Sequence, residues 1–305
     1  MAPWGINKGK QVDNIDKWNR RRKKMDYEIS MLFPEGKRKA LTFSYDDGTI
    51  HDRKLVALLN EYGMKGTFNL NYGLLGKGGM ETVNGIETDF SRVEVEEVRS
   101  LYQGHEIASH AYSHASLTGL PKNMAATEVL KDRYNLEQLT EKLIRGFAYP
   151  YGAYNSQIEE ILDACGIEYA RTVESTGDFH LPEDFLAWHP TCHHEDERLM
   201  ELAEKFCREE KDGPFVFYLW GHSYEFAQKD NWELMENFLK YMAQYKEDIW
   251  CATNIEIVDY VKAYRELKRS TDGKILMNPN ATPLYVAMNG KKYCIHGNEK
   301  LELPS

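Results

Sequence analysis

Between residues 41 and 261 the chain repeats one pattern: a short apolar run, a glycine or polar turn, then a segment whose apolar residues recur at helical spacing. Seven runs stand out, at 41–45, 66–70, 105–109, 146–149, 168–172, 215–219 and 249–252. Most are continuous rather than alternating, as expected of strands covered on both faces. Between them lie stretches such as Leu55, Leu58, Leu59 and Tyr62, stopped by Gly63, and Val95, Val98, Leu101 and Tyr102, stopped by Gly104. Asn254 is placed to cap the last of these helices. Such alternation leaves few solutions besides a parallel sheet wrapped by helices. In a β/α barrel the chemistry gathers just after the strands. Seven units is one fewer than the commonest barrel has. Residues 188–194, from Trp188 to His194, fit neither period.

The pattern sets the expected domains. Residues 1–38 read as a polar N-terminal extension, 39–268 as the β/α barrel, and 269–305 as a small β appendage. In the appendage, 284–288 and 291–295 flank Asn289-Gly290, which predicts a hairpin with a type I′ turn. The net charge of −10 argues against a nucleic-acid partner. The basic run from Arg20 to Lys24 reads as a solvated face. The 5 cysteines are odd in number and form no CxxC, which points to reduced thiols. No apolar run near Met1 resembles a signal peptide, and no stretch is suited to span a membrane. The expectation is a cytoplasmic protein with no membrane partner. No oligomeric state is readable.

Chemistry concentrates after the strands. The first run ends in Asp46-Asp47-Gly48. Neighbouring carboxylates repel, and a cation on one would leave the other free to act as a base. His110 and His114, four apart, can face one way over a helical turn. One carboxylate with two imidazoles makes an open metal site with room for water. Mixed nitrogen and oxygen donors suit Zn2+, with Co2+ or Ni2+ as alternatives. His222 follows the sixth run. His193 and His194 precede a helix and suit a surface, a substrate groove or a second metal. Tyr149, Tyr151, Trp188, Trp220 and Tyr224 suit either the core or a stacking surface at the strand ends.

These residues together resemble the polysaccharide deacetylase (NodB-homology) family of metal-dependent carbohydrate esterases. The family's Thr-Phe-Asp-Asp-Gly-type motif is matched by Ser44-Tyr45-Asp46-Asp47-Gly48, and its His-(Ser/Thr)-x-x-His motif loosely by residues 110–114. The resemblance covers about residues 40–265 and implies a distorted (β/α)7 barrel. It implies Asp46 as general base, Asp47, His110 and His114 as metal ligands, and His222 as general acid. Two departures stand out. The third motif, Arg-x-Pro-Tyr-Gly, has Ala148 in place of its arginine, which orients the base in many members. The Asp-x-x-Asp-Trp motif is not kept at its spacing among Asp178, Asp184 and Trp188. Arg171, at the end of the neighbouring strand, is expected to hold Asp46 by a bidentate contact instead. Tyr151 and Trp188 are further candidates for substrate or base-orienting contacts. Glu225 and Asp178 are candidates for the carboxylate beside His222. The expected activity is deacetylation of N-acetylated sugars or short oligosaccharides. The alternatives are hydrolysis of a small non-sugar amide, or a carbohydrate-binding relative without catalysis, which Ala148 favours.

Overall fold

The computed structural model describes residues 29–303 apart from Asn84 and Asp212, so the basic run at 20–24 lies outside the described residues. The chain divides into two compact units. One is Lys37–Val261; the other joins 29–36 to 262–303.

The larger unit is a distorted (β/α)7 barrel. Its strands are β1 (Lys39–Asp46), β2 (Thr67–Leu70), β3 (Glu106–Ser109), β4 (Gly146–Ala148), β5 (Tyr169–Arg171), β6 (Cys192–His193), β7 (Phe215–His222) and β8 (Ile249–Cys251). Seven lie side by side in the order β5-β4-β3-β2-β1-β7-β6, and β8 pairs with the first half of β1. Every pairing is parallel. All eight residues of β1 are buried, including Thr42 and Ser44, the small hydroxyl residues that alternate with Leu41, Phe43 and Tyr45. Leu41, Phe43 and Tyr45 pack with Leu55, Leu59, Phe217, Leu219 and Phe238 in the main core.

The strand that the alternation missed is β6, and it lies in the segment 188–194. Trp188 N–H donates to the Ala170 carbonyl (2.9 Å) and Thr172 N–H to the Trp188 carbonyl (3.1 Å). Thr191 N–H then reaches the Tyr218 carbonyl and His194 N–H the Trp220 carbonyl, each at 2.9 Å. The segment therefore runs from the edge at β5 to the edge at β7. Edge backbone groups need partners, and this irregular stave supplies them. It has no period because it changes neighbours midway.

The helices are α1 (Asp52–Glu61), α2 (Val98–Leu101), α3 (Lys122–Thr140), α4 (Ser156–Ala164), α5 (Leu199–Arg208), α6 (Ser223–Gln228), α7 (Trp232–Ala243) and α8 (Asn254–Arg265). Asn254 does not cap α8. Its side chain is buried, accepting from Thr42 Oγ1 (2.7 Å) and donating to Tyr218 Oη (2.6 Å). Thr253 and Glu256 make the cap, Glu256 accepting from Thr253 N–H at 2.8 Å. Among the described residues no helix is long and apolar enough to cross a membrane.

A buried cluster joins the loops after β1 and β7. Asp52 accepts from Tyr102 Oη (2.6 Å) and from Ser223 Oγ, and Ser223 also meets Thr49 Oγ1 (2.9 Å). Burial pushes the Asp52 carboxyl up to about 7, although the Ser223 and Tyr102 hydroxyls pull the other way. The folded state therefore keeps a proton that the unfolded chain loses near pH 4. This contribution to stability is complete below about pH 4 and falls by about 1.4 kcal/mol per unit until about pH 7. Asp52→Asn is expected to flatten that slope in denaturant titrations at pH 5, 6 and 7. An unchanged slope would mean that Asp52 is ionised in the fold.

In the smaller unit, Leu284–Met288 and Lys291–Ile295 form the hairpin, with Asn289 and Gly290 both at positive φ as a type I′ turn requires. Ile29–Leu32 adds antiparallel to Leu284–Met288. The expected boundaries at 38/39 and 268/269 thus differ from the observed 36/37 and 261/262. The end of the supposed N-terminal extension is a strand of the C-terminal unit, a long-range pairing that no local pattern marks. Lys268–Arg269, Ile275–Met277 and Lys300–Glu302 form a second small sheet.

Candidate active site

The site is built at the carboxyl ends of β1, β2, β3, β5 and β7. Register places Asp46 opposite His222 on one side and Asn69 on the other. After Asp46 the backbone turns sharply: Asp47 has φ +82° and Gly48 φ +63°. A Cβ at Gly48 would also lie 2.7 Å from Leu70 Cδ2. The glycine serves both the turn and the close approach.

Asp46 is 2 % exposed. Asn69 Nδ2 donates to its Oδ1 (2.8 Å), and Arg171 Nη2 donates to its Oδ2. Burial pushes the Asp46 carboxyl up, but Arg171, His110 and His222 together outweigh burial and hold it at about 2. Arg171 is itself buried, lies 4.3 Å from the Trp220 ring centroid, and donates from Nη1 to the Thr172 carbonyl (3.1 Å). Its contact with Asp46 is single rather than the expected bidentate fork, because the second nitrogen is turned to the backbone.

Asp47, His110 and His114 converge with donor atoms within 4.8 Å of one another. A helical turn does not bring the two imidazoles together. Residues 110–115 are a loop in which Ala111 (φ +62°) and His114 (φ +59°) are left-handed. Asn71 clamps this loop by donating to the His110 and Ala111 carbonyls. Asp132 accepts from Ser109 Oγ (2.6 Å) and His110 N–H (3.3 Å). His110 Nδ1 donates to the Ala148 carbonyl (2.7 Å), which leaves the Nε2 lone pair toward the carboxylates. Burial lowers the His110 pKa, and it brings His114 down to about 4 with help from His110. Asp47 Oδ1 is buried without a hydrogen bond. Two neutral imidazoles beside a carboxylate oxygen that no hydrogen bond engages, with Arg92 Nη2 3.2 Å away as its ion pair, fit a divalent cation.

His222 faces both ways. Its Nε2 is 3.9 Å from Asp46 Oδ2 and its Nδ1 is 3.3 Å from Glu225 Oε2. Burial opposes a charge there, but Glu225, Asp46 and Asp47 push the imidazole up to about 9. Glu225 stands in the first turn of α6 and accepts from His222 N–H (2.9 Å). His193 Nε2 also reaches it (3.1 Å). The donor atoms of His193, His222 and Glu225 are close enough to suggest a second metal. The tautomers argue against one. His193 Nδ1 accepts from Glu195 N–H (3.2 Å), so the neutral ring carries its proton on the nitrogen facing Glu225. The group is a carboxylate ringed by donors. Asp178, the other candidate partner of His222, instead caps a turn by accepting from His180 N–H.

The remaining candidates separate by burial. Tyr151 is 71 % exposed, with its ring 4.6 Å from that of His114 at the rim. Trp188 is 1 % exposed and packs on Tyr218 and Tyr169. It is a core residue of the closing stave and cannot touch substrate, which corrects the expectation for it. Tyr149 is also buried. Sequence reasoning missed Asn69 and Arg92. Asn69, a polar residue inside an apolar run, carried a readable signal; Arg92, which meets Asp47, carried none.

Strand-end carboxylates and imidazoles converging at the rim of a parallel barrel define a barrel hydrolase. The polysaccharide deacetylase family model matches residues 34–170. Over that region the chain is similar to the polysaccharide deacetylase family, whose members are hydrolases acting on N-acetyl C–N bonds. A structure from Mycobacterium smegmatis assigned to the polysaccharide deacetylases is 19% identical, with a TM-score of 0.55 over 79% of this chain and 96% of that one. A peptidoglycan deacetylase of Bacillus subtilis is 18% identical (TM-score 0.47; 77% and 96% covered). A family 4 carbohydrate esterase pseudoenzyme of Bacillus anthracis is 16% identical (0.45; 74% and 67%). At these identities the likeness concerns the fold alone. No curated protein sequence matches the chain.

Proposed function

We propose that the chain is a metal-dependent deacetylase of N-acetylated sugars or short oligosaccharides. The observation that carries this reading is the division of labour at one rim. Asp46 is held ionised, His222 is held charged opposite it, and Asp47, His110 and His114 converge beside them. Bound by those three, a divalent cation, best Zn2+, would polarise the amide carbonyl and lower the pKa of water. Asp46, oriented by Asn69 and Arg171, takes the proton of the attacking water. His222 gives its Nε2 proton to the departing amine, and Glu225 keeps the ring turned for that transfer. Tyr151 offers an exposed aromatic face to a sugar ring.

The case for a non-catalytic relative rested on Ala148. Arg171 meets Asp46 from the next strand, which supports catalysis. The five free cysteines support a reducing compartment, and hence soluble acetylated saccharides as substrates. Acetate release from a panel of N-acetylated glycans and small amides, with zinc or cobalt added, tests the reading. Turnover of small amides alone would move the protein to the second class. No turnover on any substrate with metal bound would favour a binding role.

The metal assignment has its own test. Protein purified without chelator is expected to hold about one divalent ion per chain. His110→Ala is expected to lose it in elemental analysis, and metal content equal to wild type would remove His110 from the ligand set.

A further inference from the structure

Asp46 and Asp47 are adjacent carboxylates, and each meets its own arginine. Arg171 takes Asp46, and Arg92 Nη2 lies 3.2 Å from Asp47 Oδ1. The second contact is an ion pair without a hydrogen bond, but the backbone that carries Arg92 is firmly held. Arg92 N–H donates to the Lys77 carbonyl (2.7 Å), Val93 N–H to Gly48 (2.9 Å), and Ile50 N–H to Ser91 (2.9 Å). The chain around Arg92 is thus tied to the turn that carries Asp47, and the Arg92 side chain is 13% exposed. The oxygen it meets is also the one nearest His114, with Oδ1 3.7 Å from Nε2. One carboxylate oxygen therefore faces both the guanidinium and the His114 imidazole.

We infer that Arg92 competes with the metal for Asp47 and lowers the affinity of the centre. This rests on the metal-centre reading above. A guanidinium is always charged. Paired with the single anionic ligand, it weakens that ligand as a donor, and it repels a dication a few ångströms away. With Arg92 on Asp47 and Arg171 on Asp46, the two carboxylates need no metal to stay side by side. The rim is preassembled, and the ion is exchangeable rather than structural. An arginine that merely oriented Asp47 would act in the opposite direction, since outer partners that fix a ligand raise affinity.

The test is zinc affinity, measured by chelator competition on full-length protein stripped of metal, with thermal melts with and without zinc. Arg92→Gln is expected to bind zinc about 10- to 100-fold more tightly than wild type, the scale on which partners of metal ligands change affinity. Its melting temperature without metal should fall, and its zinc-induced rise should grow. Arg92→Lys keeps the charge and should stay near wild type. Arg92→Met serves if the amide variant does not fold. His114→Ala separates the two readings. If it binds zinc like wild type, the ion lies elsewhere, and the metal-centre reading falls together with this one. If His114→Ala loses zinc while Arg92→Gln and Arg92→Met bind no more tightly than wild type, the role of Arg92 alone is overturned.

Discussion

His222→Gln is expected to keep its metal and to lose about 10²–10⁴ in rate on amide substrates. The amine of an amide leaves only when protonated, and Asp46 cannot supply that proton. It is held at about 2, and it is also the group that takes a proton from water. His222 can supply it, because Glu225 and the two aspartates hold the imidazole at about 9. The charged form is fully present below about pH 6.5 and is lost as pH rises through about 9. Activity should therefore fall on that alkaline limb, and the limb should be absent from the residual rate of the variant. An activated acetyl ester, whose leaving group needs little protonation, should suffer a smaller loss. Equal losses on amide and ester would instead give His222 a positioning role. Loss of metal would make it a ligand.

Arg171→Met should damage both activity and stability. Removing one partner of a buried ion pair strands the other, at a typical cost of about 3–5 kcal/mol. In the wild-type fold the depressed Asp46 pKa contributes stability above about pH 4 that is lost as pH falls toward 2. Without the arginine, burial works with less opposition and raises the Asp46 pKa. The stability penalty should then be largest at neutral pH and shrink on acidification. The rate should drop about 10²-fold at neutral pH, and the acid limb of the pH–rate profile should move up by about a unit or more. Arg171→Lys should restore part of the ionisation but not the geometry, since a point charge replaces a planar donor. A variant with wild-type rate and an unmoved acid limb would remove Arg171 from the machinery.

Much of this was legible before any coordinates. Asp46 and Asp47 had to lie at a strand end, because an apolar run stopped by Asp-Gly has few other readings. The same holds for His110 after β3 and His222 after β7. Their shared rim followed from parallel strands, all of whose carboxyl ends face one way. Where local reasoning failed, it failed for identifiable reasons. A spacing of four suggested a helical turn for His110 and His114, yet left-handed residues in a loop do the same work. Asn254 had the chemistry of a cap, but Thr42 and Tyr218 offered its amide a buried place. Trp188 stood among candidate rim residues in sequence and proved to be packed inside the barrel wall.

The sequence by itself determined the strand–turn–helix order, the ligand types and the rim they share, since these depend on periodicity and on neighbours a few residues apart. Tertiary structure alone decided the partners. Arg171 meets Asp46 across 125 residues of chain, and Arg92 meets Asp47 from a separate loop. A charge needs a countercharge in space, and any strand end around the barrel can supply it. Ala148 therefore does not deprive the site of a guanidinium, since Arg171 brings one to Asp46 from the neighbouring strand.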